Sequence, residues 1–149
     1  MSTIAYVYCM GNVAGPGFLN GDTGTSSVNL QPNANGGGAF SGTVWALTPT
    51  GAPSTYTFHC QGTQPGNVYL FGDGNHQVVG LSVAAGGSST QWILAPVASS
   101  QPQQYTLQLV DTSFGTFYLN GMTKEGALNL VTDETLSGAN WLVLDSFAG

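Results

Sequence analysis

Three tryptophans, Trp45, Trp92 and Trp141, lie 47 and 49 residues apart, and each opens a similar apolar segment. These are Trp45-Ala46-Leu47, Trp92-Ile93-Leu94 and Trp141-Leu142-Val143. Upstream of each stands a second triplet: Val28-Asn29-Leu30, Val79-Gly80-Leu81 and Leu128-Asn129-Leu130. Before those come Phe18-Leu19-Asn20-Gly21, Tyr69-Leu70-Phe71-Gly72 and Tyr118-Leu119-Asn120-Gly121. From the Leu of that motif to the last Leu of the triplet the distance is 11 in every copy (19 to 30, 70 to 81, 119 to 130). A fixed internal period of this kind constrains a fold more than composition does, because each copy must form the same supersecondary unit.

Each copy opens on an alternating aromatic stretch: Tyr6-Val7-Tyr8-Cys9, Tyr56-Thr57-Phe58-His59, Tyr105-Thr106-Leu107-Gln108. Period-two alternation over short aromatic and β-branched runs reads as half-buried strand. Gly-, Pro- and Asn-rich connections such as Gly15-Pro16-Gly17 and Gly72-Asp73-Gly74 supply tight turns. No segment carries a helical period. Four strands in each of three copies predict an all-β domain of twelve strands over 1–149, with repeats at about 1–51, 52–101 and 102–149. Closure into a barrel capped by hairpins removes unpaired edges, so the predicted fold is a β-trefoil. The expected core is Tyr6, Tyr8, Tyr56, Phe58, Tyr105, Leu107, Leu19, Leu70, Leu119 and the three Trp.

Charge restricts the partners. Charged residues make up 5% of the chain, against roughly 25% in an average soluble protein. Lys124 is the single cation, and the formal net charge is −6. Phosphate neutralisation takes several Lys or Arg, so nucleic acid is an unsuitable partner, and polybasic attraction to anionic lipid is missing. No apolar run approaches the roughly 20 residues of a spanning helix, so no membrane insertion is expected. The start, Met1-Ser2-Thr3-Ile4-Ala5-Tyr6, enters a strand pattern at once with no basic segment. The expectation is a cytoplasmic or unconventionally secreted protein. A surface of Gly, Ser, Thr, Asn and Gln suits neutral polyhydroxylated ligands.

Side chains fit for catalysis are sparse. The acids are scattered over turns, and neighbours such as Asp133-Glu134 point apart in an extended chain. No nucleophile elbow, phosphate loop or zincin motif is present. No enzyme, metal or cofactor is predicted. Cys60 is placed on the inward phase and Cys9 on the outward one, which argues against a disulfide between them and for free thiols in a reducing compartment. His59 also falls on the outward phase. His76 sits in the turn Asp73-Gly74-Asn75-His76, where Asp73 is expected to make an Asx-turn, with Asp22 doing so in the first copy.

The polar pattern shared by two copies points to binding. Asn20 and Asn29 match Asn120 and Asn129, whereas the second copy holds Phe71 and Gly80 there. An amide offers donors and an acceptor together, which neighbouring sugar hydroxyls require. The bland reading stands beside it, since Asn before Gly is ordinary turn chemistry. Between Leu30 and Trp45 the first copy runs 15 residues, against 11 in the other two, so it carries four extra. Its loop adds Gln31, Asn33 and Asn35, with Phe40 as a stacking face. Asp22 completes the candidate set.

With these motifs the whole chain resembles the ricin-B-like β-trefoil lectins, in style the small leaderless fungal ones. The resemblance implies a non-catalytic agglutinin whose partners are glycans or glycoconjugates, with homo-oligomers as one route to multivalency. Carried over, it suggests Asn20, Asn29, Gln31, Asn33 and Asn35 as a first-copy site, and Asn120 and Asn129 as a weaker third-copy one. The family's Gln-x-Trp signature is absent, and its site acid and stacking aromatic read here as Asn20 and Gln31. A trefoil also serves as a protease inhibitor, for which Lys124 or Asn35-Gly36 would be the presented residues.

Overall fold

The computed structural model describes residues 3–11, 17–22, 25–32, 42–61, 68–83, 87–98, 100, 102–122 and 126–145. Twelve strands follow in order: β1 (Thr3–Cys9), β2 (Phe18–Asp22), β3 (Ser27–Gln31), β4 (Trp45–Pro49), β5 (Thr55–Cys60) and β6 (Tyr69–Asp73). The second half holds β7 (Val78–Ser82), β8 (Gln91–Pro96), β9 (Tyr105–Leu109), β10 (Tyr118–Met122), β11 (Ala127–Val131) and β12 (Trp141–Asp145). Helix among the described residues amounts to two single 3₁₀ turns, Ser88–Thr90 and Ser137–Ala139.

Six strands close a ring. β1 pairs with β12 and β4, β4 with β5, β5 with β8, β8 with β9, and β9 returns to β12, all antiparallel. The other six form the hairpins β2–β3, β6–β7 and β10–β11. Each hairpin joins the ring through one residue pair: Tyr8–Phe18, His59–Tyr69 and Gln108–Tyr118. This is a β-trefoil, and its closed ring leaves no barrel edge to pair with another chain.

Side-chain bonds repeat the threefold pattern. The indole N–H groups of Trp45, Trp92 and Trp141 donate to the carbonyls of Leu19, Leu70 and Leu119 at 2.9, 3.0 and 3.0 Å. Each buried ring thereby satisfies its one polar atom while tying a barrel strand to its hairpin. At the far end the amides of Leu30, Leu81 and Leu130 donate to the carbonyls of Gly126, Ser26 and Gln77 in a neighbouring hairpin. The three Trp, Phe58, Val7, Leu107 and the Leu19/Leu70/Leu119 and Leu30/Leu81/Leu130 triplets form one continuous core.

The first strand of the first copy corrects the expected phase. The amides of Cys9, Cys60 and Leu109 bond the carbonyls of Gly17, Val68 and Phe117, so these three residues are equivalent. Cys9 therefore points inward like Cys60, and each is 2% exposed. Tyr6 and Tyr8 take the opposite face, half-buried, where both rings meet Phe18 edge-on at 6.1 and 4.8 Å. Tyr56 and Tyr105 pack against the core from its margin. Neither cysteine is in a disulfide. Cys60 Sγ faces the carbonyls of Gly21 and Gly42, and Cys9 Sγ those of Gly121 and Gly138. Burial pushes the Cys9 thiol up, which makes it a poor nucleophile.

Candidate functional site

Antiparallel register sets Asn20 opposite Asn29 and Asn120 opposite Asn129. Asn20 Nδ2 donates to Asn29 Oδ1 at 3.0 Å, and Asn120 Nδ2 to Asn129 Oδ1 at 2.9 Å. In the first copy Gln31 Nε2 also donates to Asn29 Oδ1, at 3.2 Å. Asn29 and Gln31 are two residues apart on β3 and share a face. These bonds use Asn29 Oδ1 and Gln31 Nε2, so the Asn29 Nδ2 donors and the Gln31 Oε1 acceptor take no part in them. The third copy has Val131 where the first has Gln31, so it lacks this second amide.

Asn20 and Asn120 also lie against loop backbone. A Cβ built on Gly42 would stand 2.5 Å from Asn20 Oδ1, and one on Gly138 would stand 2.6 Å from Asn120 Oδ1. A side chain at either glycine would collide with the amide beneath it. Gly42, Ser89 and Gly138 each stand three residues before their Trp. The second copy, which has Phe71 in place of the Asn, thus has Ser89 in place of the glycine.

Asn20 and Asn120 therefore act as anchors between hairpin and loop, and Asn120 is only 9% exposed. Asn29 and Gln31 are the half-buried, outer part of the first-copy cluster. Asp22 is exposed at the end of the same hairpin strand, and its carbonyl accepts from the Thr25 amide at 3.2 Å. Asn33, Asn35 and Phe40 lie outside the described residues, as do Gly36 and Lys124.

A depression of about 460 Å³ opens on the outer face of the ring, in a place the sequence does not mark. Two cross-strand rows line it: Ala46–His59–Tyr69 and Thr48–Thr57–Gln91. Pro49 and Thr50 complete its rim. The only advance signal is that His59 falls on the outward phase of its strand. Its neighbours come largely from three other strands, so no linear motif contains them.

The remaining titratable groups make local contacts. Asp73 Oδ1 accepts from the Asn75 amide at 3.0 Å, the expected Asx-turn, and Asp73 Oδ2 meets His76 Nδ1 at 2.8 Å. The His76 side chain holds the Asp73 carboxyl below its ordinary range. Ser113 does the same for Asp111, and Thr135 for Asp133. Glu134 stands beside Tyr118, whose hydroxyl is pushed up by burial first and by that carboxylate second. Among the described residues no three His, Cys, Asp or Glu gather as metal ligands, and no helix is long and apolar enough to cross a membrane.

No family model matches the sequence, and no curated protein does. Solved structures match the fold. SeviL bound to an asialo-GM1 saccharide superposes with a TM-score of 0.73 at 16% identity, covering 99% of this chain and 100% of that one. ThreeFoil, a designed threefold-symmetric protein, gives 0.73 at 16% identity over 95% and 98%. The Polyporus squamosus lectin, bound to a human-type influenza-binding epitope, gives 0.68 at 14% identity over 95% of this chain and 48% of that one.

Proposed function

We propose that the chain is a non-catalytic, ricin-B-like carbohydrate-binding protein that recognises neutral glycans at the β2–β3 hairpin. The observation that carries this reading is the donor–acceptor pair of Asn29 Nδ2 and Gln31 Oε1 on one face of β3. Adjacent sugar hydroxyls each donate and accept, so one takes the Asn29 N–H while its neighbour donates to Gln31. Asn20 holds Asn29 in place for this. The likeness in fold to SeviL and to the Polyporus squamosus lectin, both solved with saccharides, supports the same reading.

Net hydrogen bonds are worth about 0.5–1.5 kcal/mol each, so a site of two or three is weak alone. Avidity then comes from several sites presented together. Two cysteines outside any disulfide are in keeping with a reducing compartment. A glycan array followed by calorimetry tests the proposal: neutral glycans bind, and Asn29→Ala and Gln31→Ala each weaken binding about tenfold, roughly 1.4 kcal/mol. Absence of binding to every glycan at high protein concentration would refute it.

A further inference from the structure

His59 has a polar atom that stands without a partner among the described residues. Gln61 Nε2 donates to the His59 carbonyl at 3.1 Å and stands 2.9 Å from His59 Nδ1. An amide nitrogen carries two hydrogens and no acceptor. One goes to the carbonyl and the other to Nδ1, so Nδ1 accepts and the imidazole proton sits on Nε2. That N–H is shielded from water and has no hydrogen-bond partner among the described residues. A buried donor left unpaired forfeits its hydration with nothing in return, a loss that ends when an acceptor arrives.

We infer that the depression beside His59 is a second ligand site, taking a neutral hydroxylated ring that stacks on Tyr69 and accepts a hydrogen bond from His59 Nε2. The Tyr69 ring lies 5.0 Å from the imidazole, tilted by 43°. Thr48, Thr57 and Gln91 place further polar groups along the opposite row. Among the described residues no Asp, Glu, Lys or Arg lines the depression, so an ionic ligand would find no fixed counter-charge. The volume of about 460 Å³ falls within the range of small-molecule sites, about 300–1,000 Å³. The depression lies between the first copy (Ala46, Thr48, Pro49, Thr50) and the second (Thr57, His59, Tyr69, Gln91), away from the hairpin amides of either. It shares no residue with the Asn29–Gln31 pair, and binding in it does not depend on that pair.

Isotope-labelled full-length protein titrated with methyl β-galactoside, N-acetylglucosamine and glucose separates the two sites. His59 imidazole and Tyr69 ring resonances report the depression, and the Asn29 and Gln31 side-chain amides report the hairpin. The expected result is a saturable shift of the His59 and Tyr69 signals with at least one sugar. His59→Phe keeps a ring without the N–H and should weaken the response of the remaining depression signals about tenfold. Gln91→Ala, in the opposite row, is the second variant and should weaken the His59 response itself. If all three sugars leave the His59 and Tyr69 signals unmoved, the inference fails, whatever the hairpin amides do. An undiminished response of the Thr57 and Gln91 signals in folded His59→Phe overturns it as well.

Discussion

Gly21 and Gly121 are kept free of side chains by the cysteines packed on them. A Cβ on Gly21 would meet Cys60 Sγ at 2.7 Å, and one on Gly121 would meet Cys9 Sγ at 2.5 Å. Gly72 is the third equivalent, with Leu109 methyls at 3.0 Å. Overpacking of this kind costs about 1–3 kcal/mol, so Gly121→Ala should lower the urea midpoint accordingly. Removing the opposing sulfur relieves the clash, and Gly121→Ala/Cys9→Ala should be less destabilised than the sum of the single variants. Additive costs would show that the contact does not set the residue. His59 gives a second prediction at this scale. Burial lowers its pKa from the ordinary 6.5. The unfolded chain then binds the proton more readily, so this contribution to stability is intact above about pH 6.5 and declines as pH falls from there towards the folded pKa. A proton NMR titration should place the His59 midpoint below about 6.5; a midpoint at or above that value would mean that burial does not govern this imidazole.

The hairpins meet through backbone in a left-handed conformation. Ser26 and Gln77 have φ of 58° and 57°, and Gly126 has 72°. Their carbonyls accept from the Leu81, Leu130 and Leu30 amides of neighbouring hairpins, which fixes the conformation in all three copies. A side chain there costs about 1–2 kcal/mol. Gly126→Ala should therefore lose about 1 kcal/mol, whereas Gln77→Gly should gain up to about 1 kcal/mol, less what glycine loses in chain entropy. Thermal melts of the two variants, shifting in opposite directions, check this. The hairpin and tryptophan landmarks are legible in the sequence because they recur at fixed separations. The first strands are legible as strands, but in the first copy the buried face is the reverse of the one expected. Alternation identifies two faces without saying which is buried, and Tyr6 and Tyr8 mimic Tyr56 and Phe58 one residue out of step. The amide pairs are legible as a cluster because the hairpin register joins them. The His59 depression is not, because four strands contribute to it.

At the scale of the molecule, β1 and β12 close the ring, with Ala5 opposite Asp145 and Cys9 opposite Trp141. The two strands farthest apart in the chain are thus neighbours, and the threefold count of strands alone does not say which pairs do this. The chain carries little charge to disturb: seven acids and one cation serve all of it. Hydrogen bonds hold the carboxylates of Asp73, Asp111 and Asp133 below their ordinary range. Such groups contribute stability above the unfolded carboxylate pKa, about 3.9, and lose it as pH falls through the lower folded values. The same carboxylates, ionised at neutral pH, belong to neither candidate site. Neither the Asn29–Gln31 pair nor the described lining of the His59 depression includes an Asp, Glu, Lys or Arg. Salt screens charge–charge attraction and leaves neutral hydrogen bonding nearly untouched. Affinity for a neutral glycan should therefore change by less than about twofold between low salt and about 0.5 M sodium chloride, where the screening length falls to a few ångströms. A steep loss of affinity with salt, measured by calorimetry, would mean that an ionic contact carries the binding and that the uncharged sites assigned to it are the wrong ones.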